Sequence, residues 1–515
     1  MTGVAAGALP RQARVVIIGA GFGGLCTAIK LREQGITDFV VLERESDVGG
    51  TWQVNTYPGA QCDIPALLYS FSFAPNVEWS RLYPSQPEIQ TYLRDCAERF
   101  GVLPHIRFDC EVREARWDEA RQRWLVDSTD GAIEAQFVVA GFGPFSAPSI
   151  PRFEGLETFG GTSFHSAHWD HGHDVTGRRV AVIGTGASAV QFIPKIQPKV
   201  AELLVFQRTP IWVSPHPDRP TGPVLRRIWR NLPGAQWASR QAIAALFESL
   251  VPVLSKHPSL TAGLERSARG HLRRQVADPV IREKLTPHYK FGCKRPTFSN
   301  AYYPALTAPN TRLVTESIDR IAPEGVVTTD GVVHEVDTII FGTGFEVTRH
   351  PFGGRVIGRD GKTLADLWGG DPQAYLGTVV SGLPNFFIIL GPNSAPYTSA
   401  VVTIEAQVHY IVDCLNRTAA QDISTIDVRP GVQRAFNEEL DRALRGSVWA
   451  VGGCQSYYIA DSGRIISFWP GYAAQFKRRT RRVDLADFTI TSGSDHHPVR
   501  TALRNRTPTN CLEAE

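Results

Sequence analysis

The feature that most constrains this chain is a glycine pattern that occurs twice, each time between an apolar run and a helix-like stretch. Val15 to Ile18 form a continuous apolar run, as a strand needs when a parallel sheet buries both its faces. Gly19, Gly21 and Gly24 follow at once as GxGxxG, and Cys26 to Gln34 reads as a helix stopped by Gly35. A second strand, Phe39 to Leu42, ends at Glu43, 24 residues past Gly19, where an acid meets the ribose hydroxyls of a dinucleotide. The competing reading is a glycine-rich turn with no ligand. The strand before, the helix after and the acid at this offset favour a nucleotide.

The pattern returns with different ribose chemistry. Arg179 to Ile183 is another buried strand, and Gly184, Thr185, Gly186, Ser188 and Ala189 carry GxGxxA into a helix. The next strand, Leu203 to Phe206, leads to Arg208 and Thr209, with Arg208 again 24 residues past the first glycine. A guanidinium there matches a 2′-phosphate, although a solvated strand-end charge is the alternative. One bound FAD and one exchangeable NADPH are therefore expected. Segments 136–143 and 336–345 are strands running into glycines, and each reads as a point where the chain crosses between nucleotide domains. The expected fold is α/β with two Rossmann-like dinucleotide-binding domains, the NADPH domain inserted into a discontinuous FAD domain, with a helical excursion. The expected boundaries are 1–145 and 336–488 for FAD, 146–219 and 288–335 for NADPH, 220–287 for the helical insertion and 489–515 for a disordered tail.

Composition excludes several other classes. With 43% hydrophobic and 20% charged residues the chain can bury a core, and a net charge of +3 provides no field to gather nucleic acid. No run of about 18 apolar residues predicts a membrane span. The eight cysteines form no CxxC and no zinc spacing, so no metal and no disulfide-reductase chemistry is expected. The N-terminal stretch lacks the pattern of a secretory signal, which gives a cytoplasmic setting with free thiols. The Arg-rich helical stretch reads as a solvated basic face, with a substrate-tunnel wall or membrane-surface patch as lesser options. Lys477 to Arg482 likewise reads as a solvated basic run.

Beyond the glycine turns, the chain resembles the type I Baeyer–Villiger monooxygenases of the flavin-containing monooxygenase superfamily, over roughly residues 12 to 485. Phe159, Gly161, His165, Trp169 and Asp170 fill every fixed position of the family fingerprint F-x-G-x-x-x-H-x-x-x-W-[PD]. Gly49, Gly50, Thr51 and Trp52, then Tyr57, Pro58, Gly59 and Asp63, match a second motif. The resemblance implies that the latter run passes under the flavin and presents Asp63 to its ring; a helix N-cap before Ile64 is the other reading of Asp63. A third match, Phe291 to Pro296, contains Lys294 and Arg295, which by resemblance serve the NADPH phosphate and catalysis. Read alone, the two would be a surface basic pair, and His165 a loop histidine. Asn393 falls in a segment resembling the flavin side of the family, while Ala140 to Gly143 departs from the usual Ala-Thr-Gly, with linker packing expected to differ.

The implied reaction uses NADPH and O2 to convert a ketone to an ester or lactone through a C4a-peroxyflavin. Arg295, always protonated, would stabilise the peroxide anion and then the alkoxide, with Asp63 holding it in place. A flavin monooxygenase acting on sulfur or nitrogen is the alternative enzyme, and a non-oxygenating FAD/NADPH flavoprotein the alternative class. Tyr397, Trp449, Tyr457 and Trp469 point to a small, largely apolar ketone, or else belong to the core. The sequence does not reveal the oligomeric state.

Overall fold

The computed structural model describes residues 8–492, which build two sheet units joined by a double crossing. In the first, strand Gln12–Ile18 lies parallel to Phe39–Leu42 on one side and to Gly131–Ala140 on the other. The sheet continues antiparallel through Arg123–Ser128 and Val112–Asp118, and Phe386–Ile388 runs parallel to the end of Gly131–Ala140. Val15 and Ile17 pack into a core with helices Phe22–Glu33 and Ala400–Ala420, whereas Val16 and Ile18 pack into a second core with Trp117 and Trp124. Cores on both faces explain why this strand shows no polar alternation.

The second unit is a fully parallel sheet of five strands, in the order Thr311–Val314, Glu202–Phe206, Arg179–Ile183, Thr338–Phe341 and Thr162–His165. The outgoing and returning crossings are hydrogen-bonded to each other. Ser149 N–H donates to Gly344 O and Glu346 N–H to Ala147 O, both at 2.9 Å, and Ser149 Oγ donates to Glu346 Oε1 at 2.5 Å. Phe142, part of the departure from the family pattern, stacks on His350 at 4.6 Å and packs against Phe352 at 4.7 Å. The substituted linker thus fills an aromatic cluster at the crossing.

Three expectations need correction. The helical excursion exists, as Pro223–Asn231, Ala235–Glu248, Val251–Ser255, Ala262–Gln275 and Pro279–Lys284, but its first two helices do not present a simple basic face. Arg226 donates to Trp79 O at 3.2 Å, Arg230 pairs with Glu78 and Arg240 donates to Ser70 O at 2.9 Å, so these cations dock the insertion onto the first unit. Apolar Val224, Ile228, Trp237 and Leu246 face outward instead. The segment from 489 does not begin a disordered tail, because Phe488–Ser492 pairs antiparallel with Ile423–Val428; the rest of the expected tail, 493–515, lies outside the described residues. Finally, Cys293 and Cys454 form a disulfide with Cα atoms 6.1 Å apart, across 161 residues of sequence. Pairing depends on proximity in the fold, which the search for CxxC spacing could not test. Cys26, Cys62, Cys96, Cys110 and Cys414 are unpaired and buried. Among the described residues no helix is long and apolar enough to cross a membrane.

The third glycine of the first turn gives a sharp test of the nucleotide unit. A Cβ on Gly24 would lie 1.8 Å from Gly19 O, where helix Phe22–Glu33 crosses the end of its strand. Gly24→Ala must push helix and strand apart, and overpacking of this kind costs about 1–3 kcal/mol or more. The expected variant melts at lower temperature and is purified with little flavin, as measured by thermal denaturation and visible absorbance. A yellow variant of normal stability would contradict the contact.

Candidate active site

The first glycine turn is shaped for close approach. Gly19 holds φ +94°, and Gly50, at φ +55°, lies against Gly21, where a Cβ on either would come within 3.0–3.5 Å of the other's Cα. Gly21 caps helix Phe22–Glu33 without a side-chain hydrogen bond, so the N–H groups of its first turn point to the outside. Glu43 is buried and accepts N–H bonds from Ala20 at 2.5 Å and Glu45 at 2.9 Å. Burial raises its pKa, although the two N–H donors partly oppose the rise. Thr51 opens the short helix Thr51–Val54, and Trp52 Nε1 donates to Tyr69 Oη at 3.1 Å. A tight turn, an uncapped helix N-terminus and a buried carboxylate beside it are the donor and acceptor set an FAD requires.

The second turn repeats these features, with Gly184 at φ +107° and Gly186 capping helix Ala187–Ile196 without a side chain. Ala189, at the third position, is fully buried against the returning crossing at Gly342. Thr185 Oγ1 donates to Thr209 O at 3.2 Å, which fixes the loop carrying Arg208. Lys294, from a distant loop, lies close enough to Arg208 to feel its charge; burial first, and Arg208 second, lower the lysine pKa. Neither cation has an acidic partner among the described residues, so two positive charges stand together beside the second turn.

Arg295 and Asp63 meet as predicted, across 232 residues of sequence. Arg295 Nε donates to Asp63 Oδ2 at 2.5 Å and Nη2 to Oδ1 at 2.6 Å, a two-pronged ion pair. Desolvation by the surrounding protein opposes the guanidinium charge, but Asp63 outweighs it and lifts the arginine pKa well above its usual value, while the side chain stays 42% exposed. Nη1 has no partner among the described residues, so donor groups remain for a ligand. Asp63 spends both oxygens on Arg295, and no helix begins at Ile64, so the N-cap reading fails. Tyr457 and Tyr458 lie within electrostatic reach of Arg295, as does Tyr397, whose hydroxyl burial pushes up to about 12.

Other expected residues take supporting places. Tyr57 donates from its hydroxyl to Gln191 Oε1 at 2.9 Å and lies beside Ser188, so it joins the two units. His165 is buried at the end of strand Thr162–His165, opposite Phe341, with Nδ1 accepting from Ala167 N–H at 3.1 Å. Burial lowers its pKa to about 4, which keeps it neutral at ordinary pH. Gly161 leaves no room for a side chain, since a Cβ would lie 2.4 Å from Asp337 O. Phe159 packs under this sheet, and Trp169 packs edge-on to Phe164 at 5.2 Å. Asp170 is exposed, and its side chain accepts from Gly172 N–H at 2.9 Å. The fingerprint therefore lies along strand Thr162–His165 and the turn after it, with His165 edge-on to Phe345 of the returning crossing at 5.8 Å. Asn393 is buried, donating to Ile465 O at 2.8 Å and Phe468 O at 3.2 Å, and its Oδ1 has no partner among the described residues. Trp469 belongs to the first unit's core, whereas Trp449 stacks on Phe468 at 4.1 Å in the cluster that holds Cys293. Tyr458 and Gln191 were missed as site and bridging residues because only tertiary contact distinguishes them from core positions.

Fold and site together define an oxidoreductase built around two dinucleotides and one arginine–carboxylate pair. A model of the pyridine nucleotide-disulphide oxidoreductases matches residues 16–249. The chain is 45% identical over 479 residues to a Baeyer-Villiger monooxygenase of Streptomyces coelicolor, covering 93% of this chain and 92% of that protein. Oxidized steroid monooxygenase bound to NADP superposes with a TM-score of 0.84 at 30% identity, over 94% of this chain and all of that one. OTEMO in complex with FAD and NADP gives 0.85 at 27% identity, over 93% of this chain and 99% of that one. This chain belongs to the Baeyer–Villiger monooxygenases.

Proposed function

We propose that the protein is an NADPH- and O2-dependent flavin monooxygenase that converts a ketone to an ester or lactone by Baeyer–Villiger oxidation. The observation that carries this reading is the Arg295–Asp63 pair, set between two dinucleotide turns in a chain of this family. When bound, FAD and NADPH supply the reducing electrons and the activation of O2. The protein's part is binding, positioning and electrostatics. Glu43 and the Gly19–Gly24 turn hold FAD, and Arg208, Thr209 and Lys294 take the 2′-phosphate of NADPH. Arg295 keeps a fixed positive charge where oxygen becomes negative as a carbonyl is attacked, and Asp63 fixes the direction in which the remaining N–H groups point. The tyrosines around Arg295, with Phe468 behind Tyr458 at 4.5 Å, favour a small, largely apolar ketone.

The test is NADPH consumption by the purified yellow protein with a panel of linear, cyclic and aryl ketones, with products identified by mass spectrometry. Ketone-dependent gain of one oxygen as an ester or lactone is expected. Oxidation of sulfides or amines alone would replace this reading with heteroatom oxygenation. NADPH oxidised with no organic product from the panel would refute the proposed substrate class.

A further inference from the structure

We propose that the Cys293–Cys454 disulfide is the positioning device of Arg295, fastening the arginine loop to the segment that forms the opposite wall of the site. The proposal rests on the role of Arg295 given above. Cys293 stands two residues before Arg295 and is fully buried, while Cys454 stands three residues before Tyr457 and is partly exposed. Tyr457 and Tyr458, just beyond one end of the bridge, lie within electrostatic reach of the guanidinium just beyond the other.

Core packing anchors the loop at Tyr289 and Phe291, and strand pairing at Thr297, but its middle has few hydrogen bonds. Phe291 to Pro296 belongs to no helix or strand. Phe291 N–H donates to Glu265 Oε1 at 3.2 Å, Lys290 N–H to Gly452 O at 2.9 Å, and Ser456 Oγ reaches Cys293 O only at 3.5 Å. The surroundings are also fitted to the bridge. A Cβ on Gly452 would lie 2.8 Å from both Cβ and Sγ of Cys293, so glycine leaves the space the sulfur occupies. Between these anchors the covalent link is the restraint nearest to Arg295 on its own loop, and on this proposal it sets where the guanidinium stands when it meets Asp63.

The bridge is also chemically addressable. A dithiol reductant attacks the partly exposed Cys454 Sγ, the S–S bond breaks, and Cys293 leaves as a thiolate that takes a proton. The reductant's second thiol then closes on the mixed disulfide and releases the Cys454 thiol. Two electrons and two protons pass to the protein, and the reductant departs as its cyclic disulfide.

The experiment uses full-length holoenzyme before and after dithiothreitol, with the reagent removed before assay, alongside Cys454→Ser. Peptide mapping without reduction should recover the Cys293 and Cys454 peptides linked. Dithiol treatment should lower product per NADPH by about tenfold to a hundredfold, the scale of a misplaced catalytic group. Hydrogen peroxide should rise while anaerobic flavin reduction by NADPH keeps its rate. Reoxidation should restore coupling in the wild type, and Cys454→Ser should start uncoupled and ignore the dithiol. Amide hydrogen exchange over residues 290–296 should increase on reduction, a readout that does not require turnover. Free thiols at 293 and 454 in untreated protein, or coupling and exchange both indifferent to reduction, would overturn the proposal. Absence of any oxygenation by untreated protein would count against the Baeyer–Villiger reading alone, because mapping and exchange would still test the bridge.

Discussion

Replacing Arg295 by alanine abolishes ester and lactone formation while the purified protein keeps its flavin and still oxidises NADPH. The side chain makes its hydrogen bonds to Asp63 and none to either glycine turn among the described residues, so its removal should leave both nucleotide sites standing. On the proposed role, what disappears is the fixed positive charge that faces the reacting oxygen. Loss of one such preorganised donor costs on the order of a hundredfold to a thousandfold in rate. The effect should reach the upper end, because truncation also leaves the Asp63 carboxylate uncompensated where negative charge must develop. Arg295→Lys should recover little, since an ammonium lacks the planar fork that engages Asp63 at 2.5 and 2.6 Å. Asp63→Asn should fall between, keeping the cation but losing its alignment. Product per NADPH, measured by mass spectrometry with peroxide assayed in parallel, separates lost oxygen transfer from lost reduction. Ester yield near wild type in Arg295→Ala would remove this residue from the chemistry.

The parts of the fold legible in the sequence were those encoded by local pattern. A strand buried on both faces announces itself as Val15 to Ile18, and a turn that admits no Cβ announces itself as Gly24. Glu43 and Arg208 can be proposed for the two riboses because they stand at a fixed offset along one βαβ unit. The Arg295–Asp63 contact spans 232 residues, and no spacing rule reaches across that distance; it was accessible only through resemblance to a family. The disulfide escaped even that, since cysteines 161 residues apart have no local signature and the missing secretory-signal pattern pointed to free thiols. The outer face of the helical insertion failed for a related reason. Arginines at 226, 230 and 240 read as solvated until the fold brings Trp79, Glu78 and Ser70 beneath them. Tyr397, Tyr457 and Trp469 look alike as residues, and only the placement of Arg295 separates the first two from the third.

Arg208→Ala combined with Lys294→Ala raises the KM for NADPH by about a hundredfold or more and leaves that for NADH nearly unchanged. Charge-assisted bonds to a phosphate are about twice as strong as neutral ones, and two cations converge here from loops 86 residues apart in sequence. Their mutual repulsion stores unfavourable energy that a dianion would relieve, which is the reason a preference for the phosphorylated ribose is expected. The same repulsion gives a pH signature. Burial and Arg208 lower the Lys294 pKa from its usual 10.5, so the lysine loses its proton at a lower pH than a free lysine does. The wild-type KM for NADPH should therefore climb on the alkaline side. In Arg208→Ala one source of the shift is gone, and the climb should move to higher pH even though affinity at neutral pH is poorer. Steady-state KM for both nucleotides across about pH 7 to 10, with flavin reduction rates, reads all of these. Equal losses for NADH and NADPH would mean that the two cations grip the nucleotide generally. In that case the 2′-phosphate, and with it the identity of the second cofactor, would have to be sought elsewhere on the loop after Phe206.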